Sequence, residues 1–200
     1  MIDFYYAPTP NGWKVAILLE ELGVTYTTHL LKLSEGDQFK PEFLAISPNA
    51  KMPAIVDHDV EGEAVSAFES GAIMLYLAEK TGLFLPDGPL ARNELMDWMF
   101  WQVGNHGPMA GQLSHFKNYA PEDQDYGFKR YLGEYERNLA VLERRLTDRD
   151  YILGDYSIAD MIAFPWVFIA KPLGSSLEEF PKVAGWRGRI WSLARSSGPS

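Results

Sequence analysis

The chain has no cysteine. That excludes disulfide staples, thiolate-ligated zinc and a sulfur nucleophile of its own. Any thiol chemistry here must borrow its sulfur from a ligand. Nothing approaches the roughly 18 consecutive apolar residues of a membrane-spanning helix. The opening Met1-Ile2-Asp3-Phe4 carries neither the basic region nor the apolar core of a secretory signal. A cytoplasmic setting is therefore the expectation. Basic residues are also scarce: 18 Lys and Arg stand against 27 Asp and Glu, a net charge of −9. A nucleic-acid partner or an anionic membrane calls for the opposite balance, so neither is expected. An anionic small molecule can still be held by a local site. Internal repeats and low-complexity segments are missing too.

What is present reads as two unlike halves. In the first, strands are expected at residues 2–6, 26–33, 54–57 and 64–68, where aromatic, aliphatic and Thr residues gather between turn residues. Helical segments follow the first and last of these. One runs from Val15 to Leu22 and stops at Gly23; the other is opened by Glu69-Ser70 and stopped by Gly82. Residues 39–46 are a short helical or irregular piece. The order β-α-β-α-β-β-α makes the first two strands parallel through a helical crossover and the last two an antiparallel pair. Residues 1–83 thus form a small mixed-sheet α/β domain. Leu85-Pro86-Asp87-Gly88-Pro89 interrupts the pattern, which places a linker at 84–90. Residues 91–200 read as all-helical.

In that second half, Leu95, Met96, Met99, Phe100 and Val103 recur at helical spacing. Pro108, between Gly104 and Gly111, should interrupt or kink this helix. A long helix at 121–146 carries Tyr131, Tyr135, Leu139, Leu142 and Leu146 on one side. Ser157-Ile158-Ala159-Asp160 is a capping box before an apolar run, and Pro165 should bend or shorten the helix it opens. A last helix fits 183–194, with a tail at 196–200 expected to fray. His106 and His115 lack metal-ligand spacing and read as a polar cleft wall; no metal is expected. Trp98, Phe100 and Trp101 read as core or subunit contact.

The stretch Ala7-Pro8-Thr9-Pro10-Asn11-Gly12-Trp13-Lys14-Val15 is the strand–turn–helix junction where chemistry is most readily placed. Prolines offer no ladder N–H and end the strand. Asn11 stands at the expected N-cap. A helix start there offers unpaired N–H groups and partial positive charge to a phosphate, a carboxylate or a thiolate. Thr9 and Asn11 can equally be plain capping residues.

The whole chain resembles the cytosolic glutathione transferases. The resemblance rests on Met52-Pro53 before a strand, Phe68-Glu69-Ser70 before a helix, and Ser157-Ile158-Ala159-Asp160 late in the helical half. More narrowly, Ala7-Pro8-Thr9-Pro10-Asn11-Gly12, Ile46-Ser47-Pro48-Asn49 and the segment from Val103-Gly104 to Gly107-Pro108-Met109 resemble the bacterial nu class, which is related to the yeast nitrogen-regulating prion protein. The fold this implies is a thioredoxin-like α/β domain with a mixed four-stranded sheet, followed by an all-α domain, assembled as a homodimer.

The resemblance also implies roles. Thr9 hydroxyl and Asn11 amide would hold the sulfur of glutathione as an anion, with Tyr6 a rival donor. Met52, before a cis Pro53, would pair its backbone with the cysteinyl residue. Ser70 would hold the γ-glutamyl carboxylate and Glu69 the ammonium. Gln38 and Lys51 would add a hydrogen bond and charge, and Arg130 would reach a glutathione carboxylate, across a dimer included. The implied activity is glutathione-dependent reduction of small disulfides. Glutathione would be the co-substrate, or glutathione disulfide the bound form, with weak conjugation on the side. A conventional transferase acting on electrophiles and a non-catalytic glutathione-binding regulator are the alternatives on the same fold.

Overall fold

Strand β1 (Ile2–Tyr6) lies inside a four-stranded sheet of order β2-β1-β3-β4, with β2 at Tyr26–Leu30, β3 at Ala54–Asp57 and β4 at Val65–Phe68. This computed structural model describes residues 1–121 and 124–196. Helix α1 (Pro10–Leu22) is the crossover that makes β1 and β2 parallel, as expected. The other two pairings are antiparallel. The central strands are the buried ones: Ile2, Phe4, Ala54 and Ile55 all lie in the core. β2 is shorter than expected and stops at Leu30; the polar residues after it wind into two 3-10 turns, Leu33–Glu35 and Asp37–Phe39. A single short turn, α2 (Pro41–Leu44), follows.

Helix α3 (Ser70–Thr81) packs beside α1. Both helices stop at a glycine in the left-handed region, Gly23 at φ 62° and Gly82 at φ 69°. The Asp57 carboxylate is fully buried, and accepts from Tyr76 Oη at 2.8 Å and Lys80 Nζ at 2.6 Å. Burial pushes this carboxyl up, but Lys80, Tyr76 and the Asp59 N–H together hold it below its ordinary range. The interaction ties β3 to the far end of α3.

The chain divides into two compact units, Met1–Leu85 and Pro86–Ser200. The second is helical among the described residues: α4 (Pro89–Trp101), α5 (Gly107–Asn118), α6 (Asp125–Arg145), α7 (Ile158–Phe168), α8 (Ala170–Leu173) and α9 (Pro181–Ser196). The expected break near Pro108 is not a break. Residues Gln102–His106 form a wider π turn, and Gly107 N–H donates to Gln102 O, five residues back. One extra residue in the turn lets the helix run on past a proline that has no N–H to give. Pro165 is likewise carried inside α7, which ends three residues later. Helix α6 begins at Asp125 rather than 121; residues 122–123 lie outside the described ones, as does the tail from 197 on. Ser196, expected in that tail, is the last residue of α9.

The core of this unit is organised by Asp160, which is fully buried. Its carboxylate accepts from Ile152 N at 2.9 Å, Ser157 N at 3.1 Å, Ser157 Oγ at 3.2 Å and Trp186 Nε1 at 2.8 Å. The expected capping box is present. Burial pushes this carboxyl up to about 6, against four donors that favour its charge. One side chain thus joins the start of α7, the loop before it and α9. Replacing Asp160 with Ala leaves several buried donors without an acceptor, at about 1–3 kcal/mol each. Asp160→Ala should therefore lower stability by roughly 3 kcal/mol or more, read as a drop in the urea midpoint at unchanged slope.

Candidate active site

The sheet register brings the chemistry-bearing segments to one end. Tyr5, Ala54 and Phe68 lie in one row across β1, β3 and β4, and Leu30 pairs with Tyr6 at the same end of β2. The four segments that leave or enter the sheet there hold Thr9, Gln38, Met52-Pro53 and Glu69-Ser70. Residues distant in sequence are gathered because parallel and antiparallel pairing put the end of β1 beside the start of β3 and the end of β4.

Helix α1 starts two residues earlier than the sequence suggests. Thr9, not Asn11, is the N-cap: its backbone is extended (φ −126°, ψ 160°) and its Oγ1 accepts from Gly12 N at 3.4 Å. Pro10 decides this, because a proline is favoured as the first helical residue and the cap must precede it. Asn11 is then in the first turn of α1 and half-buried. The Thr9 hydroxyl donates toward Met52 Sδ at 3.6 Å, and Ala7 N–H donates to the same sulfur at 3.2 Å. The Met52 side chain is thus engaged with the cap, whereas the expected pairing concerned its backbone alone. The Met52–Pro53 bond is cis, and Pro53 is buried.

Gly12 is required by space. A Cβ there would stand 2.4 Å from Ala7 O and 2.9 Å from Tyr6 Cδ2. The Tyr6 ring stacks on Phe4 at 4.9 Å, so this ring is taken up in packing.

Glu69 caps α3 with an uncommon backbone, φ 67° and ψ 118°. For a residue with a side chain that conformation costs of order 1–3 kcal/mol, and such outliers gather at ligand-binding sites. Glu69 is exposed; Ser70, the first residue of α3, is 7 % exposed. Gln38 sits in the second 3-10 turn, half-buried, and its Oε1 is buried without a hydrogen-bond partner among the described residues. An orphaned acceptor of this kind fits a donor brought by a ligand. Lys51 presents an exposed ammonium, while its carbonyl accepts from Ser47 Oγ at 2.7 Å.

Arg130 belongs to the second unit. It is exposed on α6, in a hollow shared with Tyr126, Lys129 and Glu134. His106 is not a cleft wall: it is fully buried, stacked on Trp101 at 5.1 Å and on Tyr135 at 5.9 Å. Apolar neighbours on α4 and α6 draw it into the core. Trp98 lies under the Arg145 guanidinium at 5.3 Å, whereas Phe100 is 64 % exposed and no part of the core. No group of three or more metal-ligating side chains occurs among the described residues.

One residue escapes sequence reasoning. Lys14 is 2 % exposed, and its Nζ lies 3.4 Å from Ser70 Oγ. A lysine in an amphipathic helix normally signals the solvent face. Only the packing of α1 on α3, set by residues 56 positions apart, puts this one inside.

Comparison with known proteins agrees with this arrangement. Residues 9–80 match the family model described as glutathione S-transferase, N-terminal domain, and residues 125–189 the one described as glutathione S-transferase, C-terminal domain. The chain belongs to the glutathione S-transferase family. It is 49% identical over 195 residues to the disulfide-bond oxidoreductase YfcG of Escherichia coli (strain K12), an alignment spanning 96% of this chain and 91% of that protein. Among solved structures, a glutathione transferase from Burkholderia graminis, with two glutathione molecules bound per subunit, superposes with a TM-score of 0.91 at 41% identity, covering 98% of this chain and 87% of that one. A glutathione transferase from Pseudomonas putida, with one glutathione disulfide bound per subunit, gives a TM-score of 0.87 at 38% identity, covering 94% and 85%. These relatives match the nu-like resemblance carried by the motifs.

The close approach at Gly12 yields a direct expectation. Gly12→Ala must push α1 away from the Ala7 carbonyl, an overpacking cost of about 1–3 kcal/mol. A lowered melting temperature checks it; an unchanged one would mean the turn yields without cost.

Proposed function

We propose that this protein is a glutathione-dependent thiol–disulfide oxidoreductase that reduces small disulfides, with glutathione conjugation a weak side activity. The observation that carries the reading is the start of α1, where Ala7 N–H and Thr9 hydroxyl already donate to a sulfur atom. Support comes also from the two bound glutathiones of the Burkholderia graminis relative and the bound disulfide of the Pseudomonas putida one. Glutathione supplies the chemistry: two of its thiols become one disulfide while the substrate disulfide becomes two thiols, so electrons and protons balance.

The chain's own residues hold and polarise. A free thiol has a pKa near 8.5. Bringing it to about 6.5 takes about 2.7 kcal/mol, at 1.36 kcal/mol per unit. A helix start alone contributes about 0.3–1 kcal/mol, which is too little. Hydrogen bonds to a charged acceptor add about 1.5–3 kcal/mol each, so Thr9 hydroxyl and Asn11 amide together close the gap. Met52 backbone, beside Pro53, pairs with the cysteinyl residue. Ser70 takes the γ-glutamyl carboxylate and Glu69 its ammonium, while Gln38 Oε1 accepts a ligand N–H and Lys51 adds positive charge. Arg130 reaches a glutathione carboxylate. The working form is a cytoplasmic homodimer.

The test compares turnover of 2-hydroxyethyl disulfide with that of an aryl halide. Disulfide turnover should be the faster. Asn11→Ala should lower it at least tenfold, and Thr9→Ala comparably, with thermal unfolding of each variant measured alongside. Faster aryl halide turnover would favour a conventional transferase, and no turnover in the wild type would favour a regulatory glutathione binder.

A further inference from the structure

We infer that Lys14 is a positioning residue for the γ-glutamyl head of glutathione, acting through Ser70 and making ligand affinity depend on pH; the inference rests on the glutathione-binding part of the function proposed above. The geometry sets the direction of the hydrogen bond. A lysine ammonium has three donors and no acceptor. At 3.4 Å it must donate to Ser70 Oγ, so the Ser70 hydroxyl hydrogen is left to point away from Lys14. Ser70 is the first residue of α3, whose leading backbone N–H groups receive no side-chain cap from Glu69 and are open to an anion. A hydroxyl held this way can only donate to a carboxylate placed there. Were the amine neutral, its lone pair could accept the Ser70 hydrogen. The oxygen would then face outward and repel the same carboxylate.

The charge balance of the pocket fits this role. A lysine this buried is costly to keep charged without an anion nearby. Glu69, at the start of α3, is a charged side chain that acts on it. On its own helix, the first turn of α1 has no acidic residue. On the sheet side, the Tyr6 ring lies against Gly12. Glu69 is needed for the ligand's ammonium, so the bound carboxylate becomes the counter-charge for Lys14. The α-amino-acid head of the ligand thus completes a four-charge arrangement that the chain holds only in part. Burial lowers the Lys14 ammonium to about 7, with Glu69 opposing. An anion bound through Ser70 favours the charged form. By linkage, affinity is greatest below pH 7 and falls as pH rises above it.

The experiment measures calorimetric binding of S-methylglutathione, whose sulfur does not titrate, to the full chain between pH 6 and 8.5. Wild type, Lys14→Arg and Lys14→Met are compared, with KM and kcat for disulfide turnover alongside. Wild-type affinity should fall about tenfold between pH 7 and 8.5 relative to Lys14→Arg, whose guanidinium stays charged throughout. Titration of the ligand's own ammonium is common to all three and cancels in the comparison. Lys14→Met should bind at least tenfold more weakly at pH 6.5 and raise the KM for glutathione at little change in kcat. Lys14→Arg should restore most of the affinity. Met removes a buried charge and packs a similar volume, so Lys14→Met should keep its fold, as thermal unfolding will show. Affinity within twofold of wild type in Lys14→Met, or parallel pH profiles for wild type and Lys14→Arg, would overturn the inference. Wild type that binds but does not turn over disulfides would overturn the function proposed above and leave Lys14 to be judged on binding. Wild type that does not bind S-methylglutathione would overturn both.

Discussion

The turn from β1 into α1 is the constraint on which the rest of the first unit depends. β1 ends at Tyr6, just ahead of Pro8; Pro10 starts the helix, and Thr9 caps it. Gly12 lets the first helical turn lie against the Ala7 carbonyl, closer than any Cβ allows. This fixes where the positive end of α1 points. It also fixes the depth at which α1 packs on α3, and hence the place of Lys14 against Ser70. One short segment therefore sets both the end of the site that faces the Met52 sulfur and the placing of Lys14 beneath Ser70.

Two polar sites contrast in how they are satisfied. Asp160, in the second unit, is saturated: four donors from three segments converge on it. At the end of the sheet in the first unit, polarity is left incomplete. Gln38 Oε1 is buried without a partner among the described residues, and Glu69 is held in the left-handed region at φ 67°. A saturated network specifies a fold. An unsaturated one, gathered at one end of a sheet, is what a ligand-binding surface needs.

Much of this was legible in the residues. The strands announced themselves by aromatic and β-branched runs, Gly23 and Gly82 by their place after helical segments, and the capping box by Ser157 and Asp160. The N-cap was misplaced by two residues, because Asn11 is the better capping side chain in isolation and only the helical preference of Pro10 overrules it. The π turn was hidden, since Gly104 and Pro108 look like breakers until a wider turn absorbs them. His106 and Lys14 were beyond reach. A polar residue's burial is decided by what packs on it: Tyr135, 29 positions on, for one, and Ser70 for the other. The residues proposed to contact glutathione could be named only because their motifs resemble a family; spacing alone would have left Glu69-Ser70 a helix start.

The Met52 sulfur resting against Ala7 N–H and Thr9 hydroxyl bears on how a catalyst lets go. In the function proposed above these two donors face a thiolate; left without an acceptor they would be costly to keep and would cling to whatever they held. A thioether from the chain itself is a weak acceptor, strong enough to keep them company and weak enough to be displaced. Departure of one sulfur is then met by the return of another, which favours rapid release of product over tight storage of it.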